Sequence, residues 1–229
     1  MNKLPFIIII ALVVFVLFLI LASLFSGGLF AGVKKGDWAE YYYSVEVRTN
    51  ITNPKPLQGF DPNLNGSWYN FVISSTFGKN VSAQIIWRYR NGTEQTMTGE
   101  MNIETGNGTN FGWYLIAPSL KKSSPIYTDE RFIDYVVKDI VSLKCNGTMR
   151  QMVYLNLTTT EANIYYSGII PYNIIAMTTT TVAFWDKETG VLTNAWIVIN
   201  TIVEETQQFY YNVLFQYDIT QSNLPIIPE

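Results

Sequence analysis

The sequence lacks histidine entirely and has one cysteine, Cys145, among its 229 residues. These absences exclude a histidine-based catalytic triad, a Cys-His nucleophile and the common zinc sites. A single cysteine also excludes a disulfide within the chain. Charged residues make up only 14% of the sequence and form no basic run that would favour nucleic acid. We therefore expect no cofactor, no metal site and no nucleic acid partner.

The polar residues that are present are mostly uncharged. Val33 to Glu229 hold 32 charged side chains but 51 Thr, Asn and Ser residues. No residue set supplies a nucleophile with its base, a metal shell or a phosphate-binding loop, so the sequence predicts a protein that is not an enzyme. The acidic residues have structural interpretations. Asp186 and Glu188 lie in a turn sequence, and Asp134 stands four residues before Lys138, the spacing of a surface pair on a helix.

One long apolar run stands near the N-terminus. The 21 residues from Pro5 to Phe25 carry no charge, which is long enough for a helix to cross a bilayer. The run exceeds the apolar core of about 7–15 residues in a cleavable signal peptide. We therefore expect a retained transmembrane signal-anchor at residues 5–25 and a linker over residues 26–36. Small residues in that linker leave cleavage after Ala31 or Gly32 open as the alternative.

Seven Asn-x-Ser/Thr sequences, the acceptor motif of N-glycosylation, occur after the apolar run. They begin at Asn50, Asn65, Asn80, Asn91, Asn107, Asn146 and Asn156. Four of them read Asn-Gly-Ser/Thr, a turn sequence that exposes its Asn. We therefore expect residues 1–4 in the cytoplasm, one membrane pass, and the rest outside the cell. The expected partners are the lipid bilayer, N-linked glycans, and a cell-surface protein or hydrophobic ligand.

Alternation of apolar and polar residues through most of residues 37–220 predicts antiparallel strands in one β domain. Strands are predicted at Trp38–Arg48, Trp68–Phe77, Val81–Arg90, Glu94–Ile103, Asn110–Ala117, Met149–Thr159, Ala162–Ile169, Ile174–Trp185, Val191–Val203 and Gln207–Tyr217. The pair Asn91-Gly92 predicts a hairpin turn, because both residues accept positive φ. Residues 221–229 contain two prolines and are expected to form an extended or frayed tail.

One helix is predicted, over about residues 128–141. Thr128 would cap it, with Asp129 and Glu130 at the positive end of the helix dipole. Apolar residues recur at helical spacing, at Phe132, Ile133, Val136, Val137 and Ile140. The predicted fold is mainly β: an N-terminal transmembrane helix followed by a curved antiparallel sheet, either a half-barrel or a sandwich, with this one helix packed on it.

Two short stretches resemble known proteins. Residues 33–43, VKKGDWAEYYY, resemble the opening strand of uncharacterised archaeal membrane-anchored cell-surface proteins, and residues 184–192, FWDKETGVL, resemble a late turn of the same proteins. The second stretch is also similar to a turn of lipoprotein-carrier half-barrels, in which a curved sheet holds an acyl chain. The composition resembles that of exported proteins of thermoacidophilic archaea. In an acid exterior, surfaces made of amides and hydroxyls do not change their charge, whereas carboxylates become protonated.

These observations predict a membrane-anchored, glycosylated extracellular protein with a structural or binding role at the cell surface. One alternative is a tethered carrier of a lipid or another hydrophobic ligand, which requires an apolar cavity beneath the sheet. A second alternative is an extracellular filament subunit, in which a free strand of one copy completes the sheet of the next. The filament requires cleavage near Ala31 to Val33 and an open sheet edge.

Overall fold

The structure of the protein is a computed structural model that describes residues 32–55, 64–108, 113–164, 174–204 and 208–229. Its strands are β1 (Trp38–Thr49), β2 (Ser67–Phe77), β3 (Asn80–Arg88), β4 (Glu94–Asn102), β5 (Asp139–Cys145), β6 (Thr148–Ile164), β7 (Ile174–Asp186), β8 (Leu192–Glu204) and β9 (Gln208–Ser222). No helix in these ranges could cross a bilayer. The predicted anchor at residues 5–25 lies outside the described residues.

The nine strands form one antiparallel sheet in the order β4-β3-β2-β1-β9-β8-β7-β6-β5. Two meanders, β1 to β4 and β5 to β9, meet where β1 pairs with β9. In the described part of the chain, β4 and β5 are the two edges and do not pair with each other. The predicted antiparallel β class is confirmed, and these strands lie in one sheet rather than in the two of a sandwich.

Most predicted strand positions are confirmed to within a few residues, and two are not. The segments Met149–Thr159 and Ala162–Ile169 were predicted to be separate, but β6 runs unbroken through both as far as Ile164. The strand predicted at Asn110–Ala117 is wrong over its described part. Residues 113–117 there form a turn and one isolated bridge, between Leu115 and Val191.

Burial alternates along the strands as expected for a sheet with one covered face. In β1, Tyr41, Tyr43 and Val45 are buried, whereas Glu46 and Arg48 are exposed. Strand register places the buried residues of the other strands on the same side, which we call the inner face. Its most buried members include Tyr69, Phe71, Ile85, Val153, Trp185 and Val213.

The two ends of the sheet differ in what they carry. We call the end that holds residues 32–37 the lower end. The turns at residues 78–79, 146–147 and 187–191 lie at this lower end, because the strands beside them begin or end there. The opposite, upper end carries the turn at residues 89–93.

The helix predicted over residues 128–141 is wrong. A single turn of 3-10 helix, Glu130–Phe132, stands at the tip of a loop, and β5 already begins at Asp139. The two arms of the loop pair as extended backbone: the N–H of Ile126 donates to the carbonyl of Tyr135 at 2.7 Å. β-Branched side chains at residues 136, 137, 140 and 141 favour this extended conformation.

The side chains of this loop also depart from the helical prediction. Val137 is buried, but Ile133 is 72% exposed and Val136 is 37% exposed, so no apolar stripe covers the sheet. The cap is Asp129, whose carboxylate accepts the N–H of Arg131, and not Thr128. Without a helix, Asp134 and Lys138 lose the spacing that predicted their pairing.

The connection from β4 to β5 covers the inner face in place of the predicted helix. Ile103, Leu115, Ile116, Ile126 and Tyr127 of this connection are buried. Residues 113–138, the described part that follows the gap at residues 109–112, are called the crossing segment below. The core therefore lies between the sheet and an irregular chain that no α-helix supports within the described residues.

The C-terminal residues continue past β9 and close part of the lower end. Ile226 is fully buried, and the N–H of Asn146 donates to the carbonyl of Ile227 at 3.2 Å. An isolated antiparallel bridge joins Cys145 to Pro228. The tail is thus an added strand-like segment on the edge of β5, and it buries Cys145 completely.

Candidate functional site

Aromatic side chains form a row across the inner face, because strand register places them opposite one another. Tyr41 of β1 pairs with Tyr69 of β2, and Tyr69 pairs with Trp87 of β3. The corresponding ring centroids lie 5.0 Å and 4.5 Å apart. Tyr43 pairs in the same way with Tyr217 of β9, at 4.9 Å. Such ring pairs add to the stability that burial alone provides.

Tyr114 of the crossing segment stands on this aromatic row. Its ring centroid lies 5.3 Å from that of Tyr69 and 5.8 Å from that of Tyr41. Backbone bonds fix its position: the N–H of Leu192 donates to the carbonyl of Tyr114 at 3.0 Å. The preceding residue, Trp113, is held by Trp185, whose indole N–H donates to the Trp113 carbonyl at 2.7 Å.

The turn at residues 187–191 supports the crossing segment from below. Asp186 accepts the N–H of Thr189 at 2.8 Å and that of Glu188 at 3.2 Å, which confirms the structural interpretation of this acidic turn. Gly190 has φ of 73°, and a Cβ there would lie 2.1 Å from the carbonyl oxygen of Ile116. Only glycine allows this approach of the two backbones.

An apolar cavity of about 230 Å³ remains between Tyr114 and the strands β7, β8 and β9. It is lined by Trp113, Tyr114, Thr181, Leu192, Ala195, Ile197 and Tyr217. The only polar side-chain groups among these are the hydroxyls of Thr181 and the two tyrosines and the indole N–H of Trp113. None of the described residues that line the cavity is charged, so it is suited to an uncharged and largely apolar molecule.

The tyrosines of the site remain neutral hydroxyls. Burial raises the pKa of Tyr114 well above its ordinary value, with the neighbouring Tyr217 as a further cause. Burial also raises the pKa of Tyr217. The Tyr41 hydroxyl donates to the carbonyl of Leu192 at 2.7 Å, which anchors the row to the start of β8. The hydroxyls of Tyr114 and Tyr217 are therefore uncharged at neutral and acidic pH.

The predicted glycosylation sites lie away from this cavity. Asn50, Asn80, Asn91, Asn107, Asn146 and Asn156 are exposed, whereas Asn65 is half-buried. Asn65 accepts the N–H of Val45 at 2.9 Å, and the third residue of its motif, Ser67, is fully buried. The folded chain therefore presents six of the seven acceptor asparagines to solvent and occludes the motif at Asn65.

Two of the glycosylation motifs are brought together by one residue. The side-chain N–H of Asn102 donates to Oδ1 of Asn80 at 3.0 Å, and the backbone N–H of Asn102 donates to the carbonyl of Asn107 at 2.8 Å. Asn91 lies at the other end of the same strand, in the turn before β4. These three motifs surround one edge of the sheet.

Sequence reasoning missed the residues of the crossing segment that shape the cavity. Tyr217 was placed correctly on one face of the last strand by alternation, but Trp113 and Tyr114 were assigned to a strand. The one sequence signal that could have marked an insertion rather than a strand is this pair of large aromatic residues directly after Gly112. Local pattern does not reveal which strands such a segment crosses.

Comparison with protein-family models finds no matching family, and comparison with curated proteins finds no matching sequence. The resemblance to archaeal cell-surface proteins and to lipoprotein-carrier half-barrels thus rests on the two short stretches of this chain. The structure places these stretches together: a Cβ on Gly32, just before the first stretch, would lie 2.6 Å from the carbonyl oxygen of Glu188 in the second.

Proposed function

We propose that this chain is a membrane-anchored, glycosylated extracellular protein that binds a small, uncharged, apolar ligand on the inner face of its sheet. The observation that carries the proposal is the cavity beneath Tyr114. It combines an apolar lining with a few hydroxyls, which is the usual composition of a small-molecule site. The alternative function, a tethered ligand carrier, requires such a cavity. The proposal includes a half-barrel form for the sheet.

The size of the cavity limits the ligand. An apolar cavity of about 150 Å³ in another protein stays dry and binds benzene. The cavity here, at about 230 Å³, is larger than that but smaller than the pockets that enclose drug-sized molecules. A single aromatic ring, a short alcohol or one end of an acyl chain would fit, whereas a complete lipid would not be enclosed.

The chain outside the cavity supports a tethered position at the cell surface. Val33 is buried at the lower end, and only residues 26–32 of the linker separate it from the uncharged run at residues 5–25. The exposed acceptor asparagines are available to glycan transfer on the extracellular side. The proposed orientation therefore has the lower end of the sheet nearest the membrane.

Thermal unfolding with small probes tests ligand binding. The full chain, reconstituted in lipid nanodiscs, is heated with benzene or with its charged counterpart, benzoate. Benzene should raise the Tm because a ligand that binds only the folded state stabilises it. Benzoate should not, since the described lining of the cavity offers no cationic partner for a buried carboxylate.

A cavity-filling variant provides the control. Ala195, which is buried in the cavity wall, is replaced by leucine, and the increase in Tm with benzene should disappear. Ala176→Leu, at a half-exposed position of β7 outside the lining, should retain it. An equal increase in Ala195→Leu and in the parent chain would contradict binding in this cavity.

A further inference from the structure

No described strand other than β3 pairs with β4, so among the described residues its outer edge is open above Glu100. An isolated bridge joins Met101, at the lower end of β4, to Gly108. The N–H of Tyr89 donates to the carbonyl of Thr93, and the N–H of Asn102 turns away from β3 towards Asn107. Antiparallel bonding alternates along a strand, so the backbone groups of Glu94, Thr96, Thr98 and Glu100 face outward like those of Asn102.

This edge would accept a second copy of itself. A two-fold axis at Met97 would set Thr96 of one copy opposite Thr98 of the other, and the outward groups of these two residues would be bonded. Threonine favours such pairing. The same register sets Glu94 opposite Glu100, which is repulsive, but Arg88 already neutralises Glu94 at 2.9 Å. Charge therefore opposes pairing only in part.

Glycan acceptors stand at both ends of the open stretch. Asn91 lies in the turn directly above it, and Asn80 and Asn107 lie below it, both bonded to Asn102. Gly108, next to Asn107, packs so closely on β4 that a Cβ there would lie 2.1 Å from the carbonyl oxygen of Glu100. The acceptor at the lower end is therefore held against the strand.

The side-chain amides of the acceptors Asn91 and Asn107 make local hydrogen bonds. Oδ1 of Asn91 accepts the N–H of Thr93 at 3.0 Å and its hydroxyl at 2.7 Å. Oδ1 of Asn107 accepts from the guanidinium of Arg131. At Asn91 the amide oxygen makes both hydrogen bonds, so the Nδ2 atom, which carries an N-glycan, is left available. At Asn107 the amide also hydrogen-bonds the carboxylate of Asp129.

We propose that N-glycans on Asn91 and Asn107, with Asn80 beside the latter, shield the open edge of β4 from pairing with a second copy of the chain. The inference rests on the glycosylation in the proposed function. An exposed edge strand is a template for association, and bulky groups at its two ends prevent a second strand from lying along it. The carboxylates of Glu94 and Glu100 lose their charge in acid and with it their repulsion, whereas glycans still block the edge there.

Removal of the two acceptors tests the proposal. The full chain carrying Asn91→Gln and Asn107→Gln is compared with a control carrying Asn50→Gln and Asn156→Gln. The control is matched, because Oδ1 of Asn50 also accepts a backbone N–H, that of Tyr210 at 3.0 Å. Sedimentation in detergent should give the first variant about twice the protein mass of the control.

Two further measurements locate the contact. Hydrogen exchange should become slower at residues 94–100 in the associated variant and remain unchanged in the control. Adding Thr98→Pro removes an outward N–H without disturbing the ladder to β3, so it should restore the single copy. Recovery of the single copy would also show that the first variant is folded, since an aggregate of unfolded chains would not respond to Thr98→Pro.

Several results would overturn the proposal. It would be wrong if both glycosylation variants associated alike, or if the first variant associated without slower hydrogen exchange in β4. It would also be wrong if every variant remained a single copy, or if the native protein carried no glycans at Asn91 and Asn107. Association of the fully glycosylated chain through β4 would also overturn it and would favour the filament subunit. Failure of ligand binding, in contrast, leaves this experiment unaffected, because the cavity lies on the other half of the sheet.

Discussion

The carboxylate of Asp186 has the most complete set of partners at the lower end of the sheet. It is fully buried and forms two bonds with Arg150, from Nε at 2.6 Å and from Nη2 at 3.0 Å. It also accepts two backbone N–H groups of its own turn. Because this turn holds the crossing segment, a single buried acid supports both the lower end and the cavity.

Replacing Asp186 with asparagine should cost about 3–5 kcal/mol of unfolding free energy, because it leaves a partly buried guanidinium without its carboxylate. Denaturant unfolding monitored by tryptophan fluorescence measures the change. Glu188→Gln is the matched control, since Glu188 bonds the same guanidinium at 2.9 Å but its side chain is 80% exposed. The control should lose less than about 1 kcal/mol, and similar losses in both variants would contradict the assigned role.

Single residues of the turn were predictable, whereas their long-range partners were not. Asp186 and Gly190 follow the rules of local turn chemistry, which the sequence displays directly. Arg150 stands 36 positions before Asp186 and gives no local signal of the pair. Its position is set by the register of β6 with β7, which pairs Met152 with Asp186.

At the scale of elements, the loop that leads into β5 shows where periodicity misleads. Phe132, Val136 and Val137 fit a helical spacing, but the same segment is rich in β-branched residues. Backbone pairing of Ile126 with Tyr135 and of Ser124 with Val137 decides for extended chain. Those bonds depend on the position of the loop, which leads into β5 beside β6. A local sequence pattern carries no information about that position.

The C-terminal tail is an element that depends on charge. The side-chain carboxylate of Glu229 bonds Lys144 and the N–H of Gly147, and these bonds hold the pKa of Glu229 below its ordinary value. A carboxyl whose pKa is lowered in the folded state stabilises that state above its unfolded pKa. The contribution is lost as the pH falls through the lowered folded value, so acid should loosen the tail.

Glu229→Gln removes this charge at neutral pH and should increase the rate at which a thiol reagent labels Cys145, which the tail covers. The reason is that labelling needs the tail to open, and opening becomes easier without the bond to Lys144. Glu130→Gln, at an exposed acid of the 3-10 turn, serves as the control and should label at the parent rate. Unchanged labelling of Glu229→Gln would show that the buried Ile226 and the backbone bonds of the tail to β5 hold it without this charge.

At the scale of the whole molecule, the sheet is completed by the pairing of β1 with β9. Ala39 pairs with Ser222 and Tyr43 with Tyr217, contacts between opposite ends of the described chain. The hairpins on both sides pair neighbouring segments. Closing so long a loop is entropically costly, so this contact should form late in folding.

Two matched substitutions test the order of folding. Ile219→Val changes a buried residue of β9 that pairs with β1, and Ile85→Val changes a buried residue of the β2–β3 hairpin. Each should cost about 1 kcal/mol. Stopped-flow kinetics should show Ile219→Val mainly speeding unfolding and Ile85→Val mainly slowing folding. The opposite assignment would place the β1–β9 contact in the folding nucleus.

The sequence by itself determined most of the strands, their hairpin turns and the faces that they bury, because alternation and turn chemistry act over a few residues. It also determined the absence of any histidine or paired-cysteine chemistry. It did not determine β5 or the unbroken course of β6. The tertiary structure decided which strands are neighbours, how the crossing segment replaces a helix, and where the tail lies. It therefore also decided the cavity, since Tyr114 and Tyr217 meet only through contacts between distant parts of the chain.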